Sequence, residues 1–278
     1  MKSNAGSNSS NIGVFDSGFG GLIVLRGIVK KLPRYNYIYL GDTARNPYGT
    51  RSKETVYKFT KEAIDFLFKK NCELIILACN TASGDALRKI QREYLIKKYP
   101  NRKILGVLIP ASEEAARITK NKRIGVIATE GTVQSDSFMR EANKLNPKIK
   151  LFQKACPLLV PIVETGEQNS KAAELILENY LRPLKKRGID TLILGCTHYG
   201  IFGNKIRKIM GKKILIVSEE RIVPEKLRTY LKKHKEIEKK LAKNRRIEFY
   251  STDLTDKFKI LGSKFFGKSI RVQKAVLK

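Results

Sequence analysis

Two cysteines stand where this chain can do chemistry. Cys79 closes the apolar run Leu74-Ile75-Ile76-Leu77-Ala78 and is followed by Asn80-Thr81-Ala82-Ser83. Cys196 closes Leu192-Ile193-Leu194-Gly195 and is followed by Thr197-His198-Tyr199. A short unbroken apolar run suits a strand buried on both faces of a parallel sheet. The residue beyond its carboxyl end then lies where open α/β sheets hold ligands. The thiolate is the reactive form of cysteine, and its neighbours set how readily it forms. Asp16, Glu164 and His198 are the titratable residues on loops near these ends. His198, one of two histidines, can give a proton or orient the thiol. A structural hydrogen bond is its plainer role; the place beside a strand-end cysteine favours the functional one.

Four chemistries compete for the pair. A metal site would use Cys79, Cys196 and His198, but short C-x-x-C spacing and a fourth ligand are missing. A redox disulfide usually has its cysteines as C-x-x-C on one helix. A cysteine hydrolase needs one nucleophile and one base and leaves the second thiol unexplained. A two-base enzyme needs matched acid/base groups on opposite faces of one carbon, and it alone uses both cysteines symmetrically.

The elements that must position these residues alternate strand and helix, which calls for parallel sheets with helices on both faces. Ile12-Gly13-Val14-Phe15 reads as a strand ending at Asp16-Ser17-Gly18-Phe19-Gly20-Gly21, with a helix over 22–31 stopped by Pro33. The glycines leave helix-start N–H groups free for an anion, although Ile23 breaks the dinucleotide fingerprint. Strands follow at 37–40, at the Cys79 run, and at 104–109, closed by Pro110; helices are expected over 52–70 and 82–99. Ile124-Gly125-Val126 then repeats Ile12-Gly13-Val14 at nearly the spacing that separates the two cysteines. The second half continues with a loop holding Thr129 and Thr132, a helix over 136–145, and the proline-bounded segment ending at Glu164. A helix over 170–187, the Cys196 strand, and strands at 214–217 and 246–250 complete it. The expected fold is α/β: two similar doubly wound domains with mainly parallel sheets and the active site in the cleft between them. Residues 1–11 form a polar tail, 12–101 with 218–278 the first domain, and 102–217 the second.

Hydrophobic content of 42% and charged content of 29% describe a soluble globular chain. No apolar segment approaches the roughly 20 residues of a membrane span, and the polar start lacks a signal-peptide core. Four cysteines are too few for a disulfide scaffold and fit reduced, cytoplasmic thiols. The net charge of +30 attracts anions in general. Its lysines are spread along the chain, and the densest run, 221–246, carries helix-spaced Leu227, Leu231, Ile237 and Leu241. No nucleic-acid motif accompanies it, so a lysine-biased composition is the preferred cause.

Asp16-Ser17-Gly18-x-Gly20-Gly21, Gly41-Asp42-x-x-x-x-Pro47-Tyr48-Gly49, Ala78-Cys79-Asn80-Thr81-Ala82 and Gly195-Cys196-Thr197-His198, in this order and spacing, resemble the cofactor-independent glutamate racemases. The resemblance runs from Ile12 to about Val217 and weakens towards the C-terminus. It implies interconversion of L- and D-glutamate, supplying D-glutamate for peptidoglycan, with neither pyridoxal phosphate nor metal. On this chain it implies that Cys79 deprotonates D-glutamate and Cys196 deprotonates L-glutamate. Asp16 would assist Cys79, and Glu164 and His198 would assist Cys196. The implied substrate cradle is Asp16, Ser17, Tyr48, Gly49, Asn80, Thr81, Thr197 and His198, with Thr129 and Thr132.

Independently of the name, removing an α-proton builds charge beside a carboxylate, and donors at that carboxylate lower the barrier. Asn80, Thr81 and Thr197 directly follow the cysteines. The family commonly carries Asp-Ser-Gly after the strand that here ends Val217-Ser218-Glu219, so an acid is replaced by Val217; packing rather than catalysis is expected to feel this. Cys72 and Cys156 are expected to be buried small hydrophobes. Glutamate is the expected partner, no membrane or nucleic acid is, and a homodimer is left open. The competing readings are a racemase of aspartate or a hydantoin and, from another class, a basic nucleic-acid-binding protein on this scaffold.

Overall fold

A computed structural model describes residues 9–278. The expected polar tail falls outside the described residues as far as position 8, and Ser10 already bridges to Leu241. Ten strands form two sheets among the described residues. They are β1 (Asn11–Asp16), β2 (Tyr37–Gly41), β3 (Cys72–Leu77), β4 (Lys103–Gly106), β5 (Arg123–Ala128), β6 (Lys150–Ala155), β7 (Thr191–Gly195), β8 (Leu215–Val217), β9 (Ile247–Ser251) and β10 (Val272–Lys274). The larger sheet has the order β10-β9-β2-β1-β3-β4 and the smaller β6-β5-β7-β8. Every pairing is parallel, as the strand–helix alternation requires.

Alternation along each strand sorts its side chains between two cores. In the larger sheet Ile12, Val14, Leu74 and Ile76 face one way, onto Leu22, Leu25 and Ile28 of helix α1 (Gly21–Lys31). Phe15, Ile38, Leu40, Ile75 and Leu77 face the other way, onto Val56, Ala63, Ile64 and Leu67 of helix α2 (Lys53–Lys69). In the smaller sheet Ile127, Leu192 and Leu194 join the first of these cores, whereas Ile124, Val126 and Ile193 belong to a third with Phe138 and Ala142. One apolar core thus runs continuously through both sheets, and this sets how their carboxyl ends approach.

Several helix starts follow from the sequence directly. Ser52 accepts a hydrogen bond from the Thr55 amide at 3.2 Å and Ser170 from the Ala173 amide at 3.1 Å, each satisfying one of the N–H groups a helix start leaves open.

The expected strand over 104–109 is corrected: β4 ends at Gly106 and Leu108–Ile118 is a helix. Pro110 lies in that helix's first turn, where its missing N–H costs nothing. β4 pairs along β3 from Leu74↔Lys103 to Leu77↔Gly106. The chain therefore leaves the larger sheet after Gly106, past the change expected near Arg102. The helix expected over 82–99 is broken into short pieces, Asn80–Asp85, Leu87–Lys89 and Ile96–Lys98, with a π-helical stretch at Ile90–Leu95. A helix at Asp256–Phe266 and strand β10 are additions at the C-terminal end.

Candidate active site

Each strand-end cysteine occupies a corner where the backbone leaves the sheet. Cys79 is extended (φ −68°, ψ 122°) and caps the short helix Asn80–Asp85. Cys196 is extended (φ −154°, ψ 136°) and caps the tight turn Thr197–Phe202. The two thiols, on different sheets, line one cleft together with Ser17, Asn46, Pro47, Tyr48, Gly49, Asn80, Thr81, Thr129, Val160, Thr197 and His198. That cleft is nearly closed, with about 20 Å³ of free volume, room for little more than a water. All four cysteines are unpaired and buried. Among the described residues no group of three or more His, Cys, Asp or Glu is disposed to hold a metal ion.

Two glycines let the halves meet. A Cβ at Gly20 would lie 2.2 Å from Thr197 Oγ1 and 2.8 Å from His198 Nδ1, so the Cys196 turn docks on the start of α1 only because position 20 has no side chain. At Gly49 a Cβ would stand 2.6 Å from Thr129 Cβ. Both glycines belong to motifs legible in the sequence, and close approach is their reason.

The thiols have different neighbours. Cys79 Sγ lies 3.4 Å from the Ser17 hydroxyl, and Asp16, 1% exposed, sits at the end of β1 beside it. Asp16 accepts hydrogen bonds from the Gly18 amide at 2.9 Å and from Thr197 Oγ1 at 3.3 Å. Cys196 Sγ lies 3.7 Å from His198 Nδ1, and His198 Nε2 lies 3.2 Å from Glu164 Oε1. Asn46 Nδ2 donates to the same Glu164 oxygen at 2.7 Å. Cys79 thus faces a hydroxyl and a carboxyl, and Cys196 an imidazole backed by a carboxyl.

Burial governs the electrostatics. It pushes the Cys79 thiol up to about 12, with the negative charge of Asp16 adding to the effect and the Ser17 hydrogen bond opposing it. Burial also holds Cys196 well above the ordinary thiol value, opposed by a backbone hydrogen bond from His198 and reinforced by Cys79, Asp16 and Glu219. Asp16 is raised by burial and drawn back by His198, by backbone N–H groups and by Thr197. Two thiols lining one nearly closed cleft disfavour each other's charge, so the two do not ionise together.

Of the residues singled out from sequence, Cys79, Cys196, Ser17, Tyr48, Gly49, Asn80, Thr81, Thr129, Thr197 and His198 line the cleft. Asp16 and Glu164 stand one layer behind, reaching it through Thr197, Cys79 and His198. Thr132 is fully buried and also behind the lining; its hydroxyl lies 2.9 Å from that of Thr129 and 3.2 Å from that of Thr81. The Tyr48 hydroxyl donates to Asp42, which also accepts from Arg45 Nε at 2.7 Å and Thr252 Oγ1 at 2.8 Å. Cys72 and Cys156 are buried away from the cleft.

Sequence reasoning missed Asn46, Val160, Asp42 and Glu219. Asn46 and Asp42 were within reach, since both lie in the turn-rich loop that carries Tyr48 and Gly49. Val160 offers no chemical signal, and Glu219 was set aside with its strand end.

The family model described as Asp/Glu/Hydantoin racemase matches residues 12–218. The chain belongs to the Asp/Glu/hydantoin racemase family. Among members of that family, a glutamate racemase of Geobacter metallireducens is 43% identical over 221 residues, 78% of this chain and 80% of the relative. Glutamate racemase 2 of Caldanaerobacter subterraneus is 38% identical over 263 residues, 95% of this chain and 96% of its own length. Among solved structures, a glutamate racemase isoform from Bacillus anthracis superposes with a TM-score of 0.89 at 35% identity, covering 98% of this chain and 99% of that one. The Francisella tularensis glutamate racemase in complex with D-glutamate gives a TM-score of 0.87 at 32% identity with the same coverage. These structures share the α/β architecture with two parallel sheets.

Proposed function

We propose that this chain interconverts L- and D-glutamate by a two-base mechanism with Cys79 and Cys196 as the bases and no bound cofactor. The observation that carries the reading is the pair of unpaired thiols, from the ends of β3 and β7, on one cleft. Relatives named glutamate racemase, matching 78% and 95% of the chain, support the choice of substrate. Two α/β units are inferred, 12–106 with 218–278 and 107–217, each supplying one thiol.

In this reading the Cys79 thiolate takes the α-proton of D-glutamate while the Cys196 thiol gives a proton to the opposite face. Cys79 ends as thiol and Cys196 as thiolate, so one turnover leaves the protein set for the reverse reaction. No net proton is consumed. Charge that develops on the substrate carboxylate is met by Asn80, Thr81 and Thr197. Asp16 assists at Cys79, and His198, held by Glu164, assists at Cys196. The nearly closed cleft has to widen to admit an amino acid and then close over it, which excludes water from the reacting carbon. The net charge of +30 draws the dicarboxylate towards the protein. We assign the product D-glutamate to peptidoglycan synthesis and the protein to the cytoplasm, where thiols stay reduced. Among the described residues no helix is long and apolar enough to cross a membrane.

Circular dichroism of glutamate incubated with the purified protein tests the assignment. Cys79→Ser and Cys196→Ser are each expected to lose turnover by at least about a thousandfold. Full activity in either variant would remove the two-thiol mechanism. Faster turnover of aspartate or a hydantoin than of glutamate would move the substrate within the family.

A further inference from the structure

Asn80 and Glu219 lie far apart in the chain and meet beside the strand ends. Asn80 lines the cleft. Glu219, the first residue of the helix Glu219–Lys233, does not; it lines a smaller void that shares Cys196 and Thr197 with the cleft and is also lined by Ile23, Val24 and Leu194. Glu219 is 4% exposed and Asn80 3%. Glu219 Oε1 and Oε2 and Asn80 Oδ1 and Nδ2 are all buried without a completed hydrogen bond, yet the Asn80 amide is close enough to ease charge on the Glu219 carboxyl.

Buried polar atoms in native proteins are nearly always paired. Four unmatched atoms in one place make two complementary pairs if one group is a carboxylic acid and the other a primary amide. A carboxylate only accepts, so it would satisfy Asn80 Nδ2 and leave Oδ1 without a donor; the neutral acid supplies that donor. The surroundings favour the neutral form as well. Burial and, less strongly, Asp16 at the end of β1 hold the Glu219 carboxyl well above the usual range, and Cys196 at the end of β7 is a further acidic neighbour. Arg26 of α1, which packs on the same helix, pairs at 2.6 Å with Glu220, the next residue along.

We propose that Glu219 is a positioning residue that acts as a neutral acid, pairing with the Asn80 side-chain amide and fixing how that amide meets a substrate beside Cys79. This rests on reading the cleft as the glutamate site, with Asn80 in direct reach of substrate and Glu219 acting through it.

The test compares the parent with Glu219→Gln and Glu219→Leu, by urea midpoint between pH 4.5 and 8.5 and by glutamate racemisation kinetics. An amide at 219 can form the same two hydrogen bonds with no proton to hold. Glu219→Gln is therefore expected to keep KM and kcat within about threefold of the parent, and Glu219→Leu to raise KM by about tenfold or more with a smaller change in kcat. The midpoint of Glu219→Gln should rise relative to the parent as pH climbs from about 5 to 8, because the folded parent must keep a proton that its unfolded chain releases. A midpoint difference that stays flat with pH would overturn the neutral acid. A KM in Glu219→Gln as high as in Glu219→Leu, or a parental KM in Glu219→Leu, would overturn the positioning role. If Glu219→Leu does not fold, the Glu219→Gln arm decides alone. If the parent does not turn over glutamate, the functional reading falls while the pH-dependent midpoint still tests Glu219 itself.

Discussion

Thr197 Oγ1, in the turn after β7, donates to Asp16 Oδ2, at the end of β1, at 3.3 Å. This bond joins the two sheets at their carboxyl ends and ties the surroundings of one thiol to the backbone that carries the other. Asp16 is buried and its charged form is favoured in part by this donor. In Thr197→Val the donor is gone and Asp16 becomes harder to ionise. A hydrogen bond to a charged group contributes about 1.5–3 kcal/mol, so kcat/KM is expected to fall about ten- to a hundredfold. The enantiomers have equal free energy, so the loss must be the same from L- and D-glutamate. Steady-state kinetics in both directions check this; a loss confined to one direction would show an assay artefact.

Glu164 holds His198 from the side opposite Cys196, with Nε2 3.2 Å from its carboxylate and Nδ1 3.7 Å from the sulfur. Glu164→Gln keeps the shape and replaces the carboxylate that holds the ring through Nε2. The expected result is a fall in kcat of about tenfold or more with KM changed little, since Glu164 stands behind the cleft lining. A variant with parental kcat would show that the ring needs no such support.

Gly20→Ala puts a methyl group against Thr197 and His198 at distances real side chains do not adopt. The Cys196 turn must shift by a fraction of an ångström or more, and proton transfer depends steeply on such displacements. Activity is expected to fall by about a hundredfold, while the urea midpoint moves by no more than an ordinary surface-to-core substitution would move it. Equal damage to stability and activity would place Gly20 in the core's service instead.

The pH dependence follows from the sign of the shifts. Burial raises all four thiols, Cys79 to about 12. The reactive thiolate is then scarce near neutrality, so kcat/KM is expected to climb with pH between about 6 and 8.5. A raised folded-state value also means that the stability each thiol contributes is complete below its unfolded value, near 9, and is lost as pH rises beyond it. Denaturation midpoints should therefore fall from about pH 8.5 to 10, and less steeply in a Cys79→Ser, Cys196→Ser double variant, which has two fewer thiols to keep protonated. A parallel fall in both proteins would contradict the shifts.

The sequence by itself determined the parts of the site that are local to a strand end. An apolar run that stops at cysteine, followed by small polar residues, fixes both the buried strand and the corner beyond it, because alternation and turn chemistry act over a few residues. The regular recurrence of strand and helix determined the parallel sheets for the same reason. Only the tertiary structure decided what depends on partners distant in the chain. β4 belongs to the larger sheet because it pairs with β3, and nothing within residues 103–106 records that choice. Pro110, which closes a strand as readily as it opens a helix, became a helix residue once Gly106 ended the pairing. Thr81, Thr129 and Thr132 share hydroxyl contacts across the sheets, Asn46 reaches Glu164, and Glu219 faces Asn80. These contacts are set by how one continuous apolar core presses two sheets together, and packing of that kind is a property of the whole chain that no short stretch of it can state.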